Sequence, residues 1–433
     1  MSGGNVTGSA RGNLWQSTAD VLFGGLETSA LETDVAADAV LIGGGFTGCS
    51  AALHLAKAGA SVVLLEAGAI GDGGSGRNVG LVNAGLWLEP DTVEAILGPA
   101  TGARLNGILA DGPDLVFALI AAHDIACEAT RAGTLHCAHS AAGLANLTER
   151  LRQYQARGWP VRLLDAAETR AKTGTDAYAG ALLDARAGTI QPLAYVRGLA
   201  RAAIDAGARL HEHSPVTAIA HEAGRWRVTT AGHRRVSAEA LLIATNAYHM
   251  GAAGVPSPAF TPVHYFQFAT APLGDNLRRT ILAEGQGCWD TATVMSSFRL
   301  DAAGRLIMGG LGSLAGPRHA IRRDWARRKL ASLFPAAADY PLDYGWDGRI
   351  AMTADHTPKI VAVGPRGIAI HGYSGRGIAP GTVFGKAAAG FLISGDESGL
   401  PLPVLEAYAE RLTGWKSLYY DMGASAFHLV DHR

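Results

Sequence analysis

Gly43, Gly45 and Gly48 stand at G-x-G-x-x-G spacing, and Glu66 lies 18 positions beyond the last of them. In such a unit Gly43 permits a tight turn, Gly45 lets backbone approach a pyrophosphate, and Gly48 allows close packing of a helix on a strand. A helix starting there turns free N–H groups and a positive dipole end toward phosphates, while Glu66 can accept bonds from adenosine ribose hydroxyls. The implied chemistry is capture of a dinucleotide. A second glycine-dense loop, Gly71-Asp-Gly-Gly-Ser-Gly-Arg-Asn78-Val-Gly80, follows the acid directly, and a third cluster spans Gly372 to Gly377.

The elements that must position these loops are legible around them. Asp38 to Ile42 is a short apolar run and predicts a buried parallel strand; Cys49 to Ala58 has helical periodicity, with Gly59 as its stop; Ser61 to Leu65 predicts the second strand. Within this unit Cys49 and His54 read as helix packing. The G-x-G-x-x-G motif alone does not separate FAD from NAD(P). A long glycine loop stands where an NAD dehydrogenase normally places another helix, and this favours the longer cofactor. Its alternative is a plain surface linker.

Composition sets the outer limits. Lys+Arg number 37 and Asp+Glu 38, which excludes the basic footprint of a dedicated nucleic-acid binder. Hydrophobic residues make up 48% of the chain, enough for a large core, so disorder as the main state is excluded. Its 433 residues predict two or three domains. Glycine accounts for 56 of them, against a usual share of about 7%, without a collagen-like period. Four cysteines and no CxxC pair argue against a disulfide framework or structural zinc. No secretory signal and no run of about 18 apolar residues is visible, which predicts a cytoplasmic protein without a membrane span. Residues 2–12 are expected to be disordered.

The motifs together resemble the D-amino-acid-oxidase-like superfamily of FAD-dependent amine and amino-acid oxidoreductases, on the gamma-glutamylputrescine oxidoreductase-like branch. Asn13-Leu-Trp15, Ile42 to Gly48, Leu65-Glu-Ala67, Gly74-Ser-Gly-Arg-Asn78, Gly188 to Leu199 with Ala206-Gly-Ala208, Ala244-Thr-Asn-Ala-Tyr248 and His371 to Gly377 carry the resemblance. It implies an α/β, two-domain FAD-binding fold: a Rossmann-like parallel-sheet domain plus a mixed or antiparallel-sheet substrate domain over the flavin. The corresponding expectation is an FAD domain from 36–93, 186–250 and 345–400, and a substrate domain from 94–185 and 251–344. An N-terminal extension (1–35) and a C-terminal tail (401–433) complete the chain.

On the cofactor side, the resemblance implies Gly43, Gly45, Phe46, Thr47, Gly48, Glu66, Ala67, Gly74, Ser75, Arg77, Asn78, Gly80, Val216, Thr245, Asn246, Gly372, Ser374, Gly375, Gly377 and Ile378, with no metal. A helix expected at 383–393 would point its N-terminus at the flavin's pyrimidine edge, where a reduced flavin gathers negative charge. Some relatives attach FAD through a cysteine just before the segment matching Met352 to Asp355; Ile350 and Ala351 stand there, so FAD is expected to be non-covalent. The sarcosine-oxidase-like branch places a lysine near the flavin for oxygen activation, and Leu306 to Gly310 holds none. The electron acceptor is therefore O2 or another carrier.

Substrate-side candidates are His264, Tyr265, Arg299, Arg349, Tyr373 and Arg376. The arginines are singled out because a guanidinium binds a carboxylate bidentately. Further strands are expected within 209–219, 226–230, 240–244, 265–269, 294–300, 305–309 and 368–371, and helices over 94–130, 141–157 and 318–334. The basic side chains Arg322, Arg323, Arg327, Arg328 and Lys329 read as a solvated helix face.

The expected reaction takes hydride from a carbon beside nitrogen to flavin N5 and leaves an imine that water hydrolyses. The partner is then a small amine or amino acid. A second nucleotide fold and a redox CxxxxC are both missing from the sequence, so electrons should enter from the organic substrate. A flavin-dependent monooxygenase and a structural flavoprotein without turnover are the alternatives, and the oligomeric state is open.

Overall fold

The computed structural model describes residues 12–23, 25–26 and 28–431. Most of the expected disordered stretch, 2–11, lies outside the described residues. Two large sheets divide the strands.

The first sheet has nine strands. Val35–Ile42 sits at its centre, paired in parallel with Val62–Leu65 on one side and Arg235–Ile243 on the other. Arg209–His211 extends one edge in parallel; Gly367–His371 follows Arg235–Ile243, also in parallel. An antiparallel pair, Val216–Glu222 and Arg225–Thr230, folds off the sheet. Val40, Leu41, Val63, Leu64, Leu241 and Leu242 have no exposed surface, as continuous apolar strands require when both faces are covered. The helices Phe46–Lys57, Pro192–Asp205 and Ile378–Ser394 pack side by side over one face.

The second sheet has eight strands, in the order Leu342–Met352, Thr261–Pro272, Arg305–Leu311, Ser296–Leu300, Gly287–Asp290, Thr134–Cys137, Ala181–Asp184, Val161–Leu164. Every pairing is antiparallel except Gly287–Asp290 with Thr134–Cys137. The fold class is thus the expected one: a largely parallel α/β sheet joined to a mixed, mainly antiparallel one.

Several local expectations give way. The helical stretch 94–130 is three helices, Pro90–Leu97, Pro99–Ala110 and Gly112–Ala122, each with proline in its first turn. Gly98 at φ +82° breaks the first junction, and Asp124 and Glu128, both at positive φ, end helical geometry before 130. Strand 209–219 is interrupted at His213, φ +50°. The helix expected from 383 starts at Ile378, with Pro380 in its first turn where no N–H is needed. The basic helix Arg318–Leu333 is a solvated face only in part: Arg327 is exposed, whereas Arg322 is fully buried and Lys329 nearly so, paired with Asp421 and Asp290.

Pro99–Ala122 is long and apolar enough to cross a membrane by length and composition alone. It breaks at Asp111, and Leu105, Leu109, Val116 and Leu119 are buried in the core.

Candidate functional site

A cavity of about 810 Å³ lies between the two sheets. One end is the glycine cradle. Gly43 has φ +110°, and a Cβ there would stand 2.9 Å from the Ala244 carbonyl oxygen; a Cβ on Gly48 would stand 1.9 Å from the Gly43 oxygen. Neither position tolerates a side chain. Glu66 closes the turn: its carboxylate accepts from Gly44 N at 2.7 Å and Gly68 N at 2.9 Å. A carboxylate offers about four lone-pair sites, so capacity for ribose hydroxyls remains.

The second loop is held by its own polar side chains. Ser75 Oγ accepts from Phe46 N at 3.0 Å. Asn78 Nδ2 donates to the Gly74 and Ser75 oxygens, while its Oδ1 accepts from Gly80 N at 2.9 Å. Arg77 Nε donates to Asp72 O at 2.8 Å and its Nη1 to Asp347 O at 3.1 Å. The N-terminal helix Leu14–Phe23 braces this loop, since Trp15 Nε1 donates to Asn78 O and Asn13 Nδ2 to Gly76 O, both at 2.8 Å.

The third cluster meets the first. Tyr373 OH and Thr47 Oγ1 are 2.7 Å apart, Asn246 Oδ1 accepts from Gly372 N at 2.9 Å, and Ser374 Oγ accepts from Thr353 N at 3.2 Å. The first turn of Ile378–Ser394 opens onto the cavity through Ile378, Ala379 and Pro380.

The opposite wall is the eight-stranded sheet. Val263, Tyr265 and Gln267 alternate from one strand, with Trp289, Ser297 and Leu311 beside them. Tyr265 OH donates to Ser297 Oγ at 2.9 Å. Arg376 reaches this wall: its guanidinium lies 5.2 Å from the Trp289 ring centre and donates to Ala84 O at 2.7 Å. Burial pushes its pKa down to about 10. On the far side His136 stacks on Trp289 at 5.0 Å, and burial holds that histidine well below its ordinary pKa.

Of the sequence-derived cofactor residues, all line the cavity except Gly48, Gly80 and Gly372, whose backbones shape it from behind. Of the substrate-side six, Tyr265, Arg349, Tyr373 and Arg376 line it. His264 does not: one residue from Tyr265, it faces the other side of the strand, 3.8 Å from Asp347. Arg299 does not either. It is buried and clamps the second loop, with Nη1 donating to Gly80 O and Ile190 O and the guanidinium lying over Trp15. Arg349 is exposed at the rim, 4.6 Å over the Tyr248 ring.

Gln267, Trp289, Tyr248, Trp87 and Tyr420 line the cavity without having been read from the sequence. Four buried polar atoms on cavity-lining residues have no partner among the described residues: Gln267 Oε1, Trp289 Nε1, His249 Nε2 and His356 Nδ1. An acceptor, a donor and two imidazole nitrogens left unpaired on lining residues suit polar contacts with a guest.

Residues 38–390 match the family model described as FAD dependent oxidoreductase, DAO. The chain belongs to the DAO family of FAD-dependent oxidoreductases. It is 30% identical over 410 residues to the probable oxidoreductase OrdL of Haemophilus influenzae, covering 91% of this chain and 92% of that one. It is 33% identical over 355 residues to the gamma-glutamylputrescine oxidoreductase of Escherichia coli, covering 80% and 82%. Its fold is similar to that of a glycine oxidase from Geobacillus kaustophilus, with TM-score 0.70 and 20% identity over 86% of this chain and 100% of the other. For this DAO-family chain the cofactor is FAD, and the glycine cradle and the Glu66 carboxylate fit it.

Proposed function

We propose that this chain oxidises the C–N bond of a small amine or amino acid that also carries an anionic group, and passes the electrons to O2 or another carrier. The observation that carries the reading is the continuity of one cavity from Glu66 to Arg376, a half-buried cation with no ion pair among the described residues. Bound FAD supplies a two-electron acceptor, taking hydride from the carbon beside nitrogen so that water can hydrolyse the imine.

The protein's part is binding and orientation. In this reading Gly43 to Gly48 and the helix they open hold the pyrophosphate, Glu66 the ribose, Ser75 to Asn78 the middle of the cofactor, and Ser374 to Ile378 the ring end. Arg376 and Trp289 Nε1 take the substrate's anionic group, since both are donors and the cation is already desolvated. Gln267 Oε1 accepts from the substrate nitrogen. Tyr265 and Tyr373, whose hydroxyls burial pushes upward in pKa, stay protonated and close the walls against water. His264 and Arg299 have positioning roles only. The reading of FAD as non-covalent is supported by a cavity lining without cysteine; the four cysteines are free and buried. Those free thiols also support a cytoplasmic place.

We read the segments 36–93, 186–250 and 345–400 as the cofactor domain and 94–185 with 251–344 as the substrate domain. The Leu342–Met352 strand, paired with Thr261–Pro272, ties the two together.

The test is an anaerobic screen of the purified protein against amines, amino acids and N-acyl polyamines. A yellow protein that releases FAD on acid precipitation and bleaches with an anionic amine is the expected result. Release of NAD, or bleaching by NADPH and by no amine, overturns the reading.

A further inference from the structure

The Thr413–Val430 helix is built inside out. Its inward face is polar: Asp421 pairs with Arg318 and Arg322, Ser425 accepts from Arg322, and His428 is fully buried against Trp325. Its outward face carries Trp415, Leu418, Tyr419, Met422, Leu429 and Val430, between 42% and 76% exposed. Trp415, Leu418, Tyr419 and Met422 lie three and four residues apart in one stripe, and Leu429 and Val430 return to the same face two turns later, past Ala426. No charge interrupts it, because the helix's only charged residues, Lys416 and Asp421, lie off the stripe.

Elsewhere among the described residues exposed large apolar side chains stand apart: Val21, Trp87, Ile96, Met250 and Ile393. The concentration on one helix therefore requires a cover. Trp415 and Tyr419, at about 150–250 Å² each when whole, and the four aliphatic side chains beside them together present several hundred Å². That is at the upper end of what a monomer usually leaves open, and it makes up most of the roughly 800 Å² on one side of a standard protein interface.

We propose that this stripe is the contact through which two copies of the chain form a two-fold dimer. A two-fold contact places the same patch on both partners, so a stripe without charges meets itself without like-charge repulsion. A lipid surface fits less well. A helix lying on lipid keeps a cationic polar face free beside its apolar one, whereas here the polar face is turned into the protein and paired. The helix lies beyond residue 390, where the family match ends. The proposal is independent of the assigned reaction.

The test uses the FAD-loaded full chain in sedimentation velocity. Wild type should sediment at twice its 44.8 kDa mass, and the double variant W415E/M422E at one chain mass with an unchanged flavin spectrum. Val21→Glu, exposed on another helix, should leave the dimer intact. As a second route that needs no disruption, Trp415→Cys, Met422→Cys and Leu429→Cys are oxidised separately. The four native cysteines are buried, so a covalent dimer from at least one of these variants and none from Val21→Cys is expected. A monomeric wild type, a W415E/M422E variant that remains dimeric, or failure of all three thiols to cross-link overturns the proposal. So does a monomer that floats with phosphatidylglycerol vesicles through the stripe, an outcome that assigns the face to lipid.

Discussion

The Arg376 guanidinium lies 5.2 Å from the ring centre of Trp289, in the wall of the cavity, with no acidic partner among the described residues. A half-buried cation against an aromatic face, with no ion pair of its own, gains from an anionic ligand. Arg376→Ala should therefore raise KM for an anionic amine about 10–100-fold, the range of a charge-assisted hydrogen bond, and hardly change it for the matching amide. Steady-state kinetics on such a pair decides this; equal effects on both remove Arg376 from substrate binding.

Glu66 accepts two backbone N–H bonds in the cradle. Glu66→Ala leaves both donors without their acceptor and removes the ribose contact, so affinity for FAD should fall about 10–100-fold. Flavin fluorescence titration of the apoprotein measures it. An unchanged Kd would place the ribose elsewhere.

Gly48 offers a sharper steric test, because a Cβ there collides with the Gly43 oxygen at 1.9 Å. Gly48→Ala should cost about 1–3 kcal/mol or more and yield colourless protein, read by thermal melting with and without FAD. Gly59→Ala, with open space around it, should bind FAD normally despite its own backbone strain.

Two buried histidines set an acid limit. Burial, with Lys359 and His249 nearby, lowers His371 from 6.5 to about 4 against the opposing pull of Glu410. Burial beside Arg322 and Arg328 lowers His428 to about 3. In both cases the unfolded chain binds the proton more tightly. Stability is thus fully present above pH 6.5 and is lost as pH falls toward 4 and then 3, by on the order of 3 kcal/mol for His371 and about 5 kcal/mol for His428. The melting temperature should fall across that window, and His371→Phe should flatten the upper part of the slope. An identical slope in the variant would show that His371 does not titrate on unfolding.

Local chemistry was readable and distant chemistry was not. The cradle from Gly43 to Glu66 is encoded in one contiguous stretch, so its turn, helix and acid appear in order. Trp289 sits on a four-residue strand, too short for a periodic signal, and it reaches the cavity only because Gly287–Asp290 pairs with Thr134–Cys137. Gln267 was within reach: the alternation that puts Tyr265 on the cavity side also puts Gln267 there and His264 away from it. Arg299 was attractive as a free cation, yet its burial against the Gly80 and Ile190 carbonyls is a long-range contact that no local pattern announces. The stretch from Trp415 to Val430 reads in sequence only as part of a C-terminal tail, and the pairing of Asp421 with Arg322 shows which face of its helix is turned in.

The central strand Val35–Ile42 needs Arg235–Ile243 beside it, and that strand in turn needs Gly367–His371. On the ribosome, the glycine motif at residues 43–48 therefore emerges hundreds of residues before its sheet can close. The nascent chain must carry bare apolar strands through most of synthesis, and flavin can be captured only near its end. Low riboflavin supply or truncation before Gly367 should then send this protein to chaperones and proteases rather than to a partly active form.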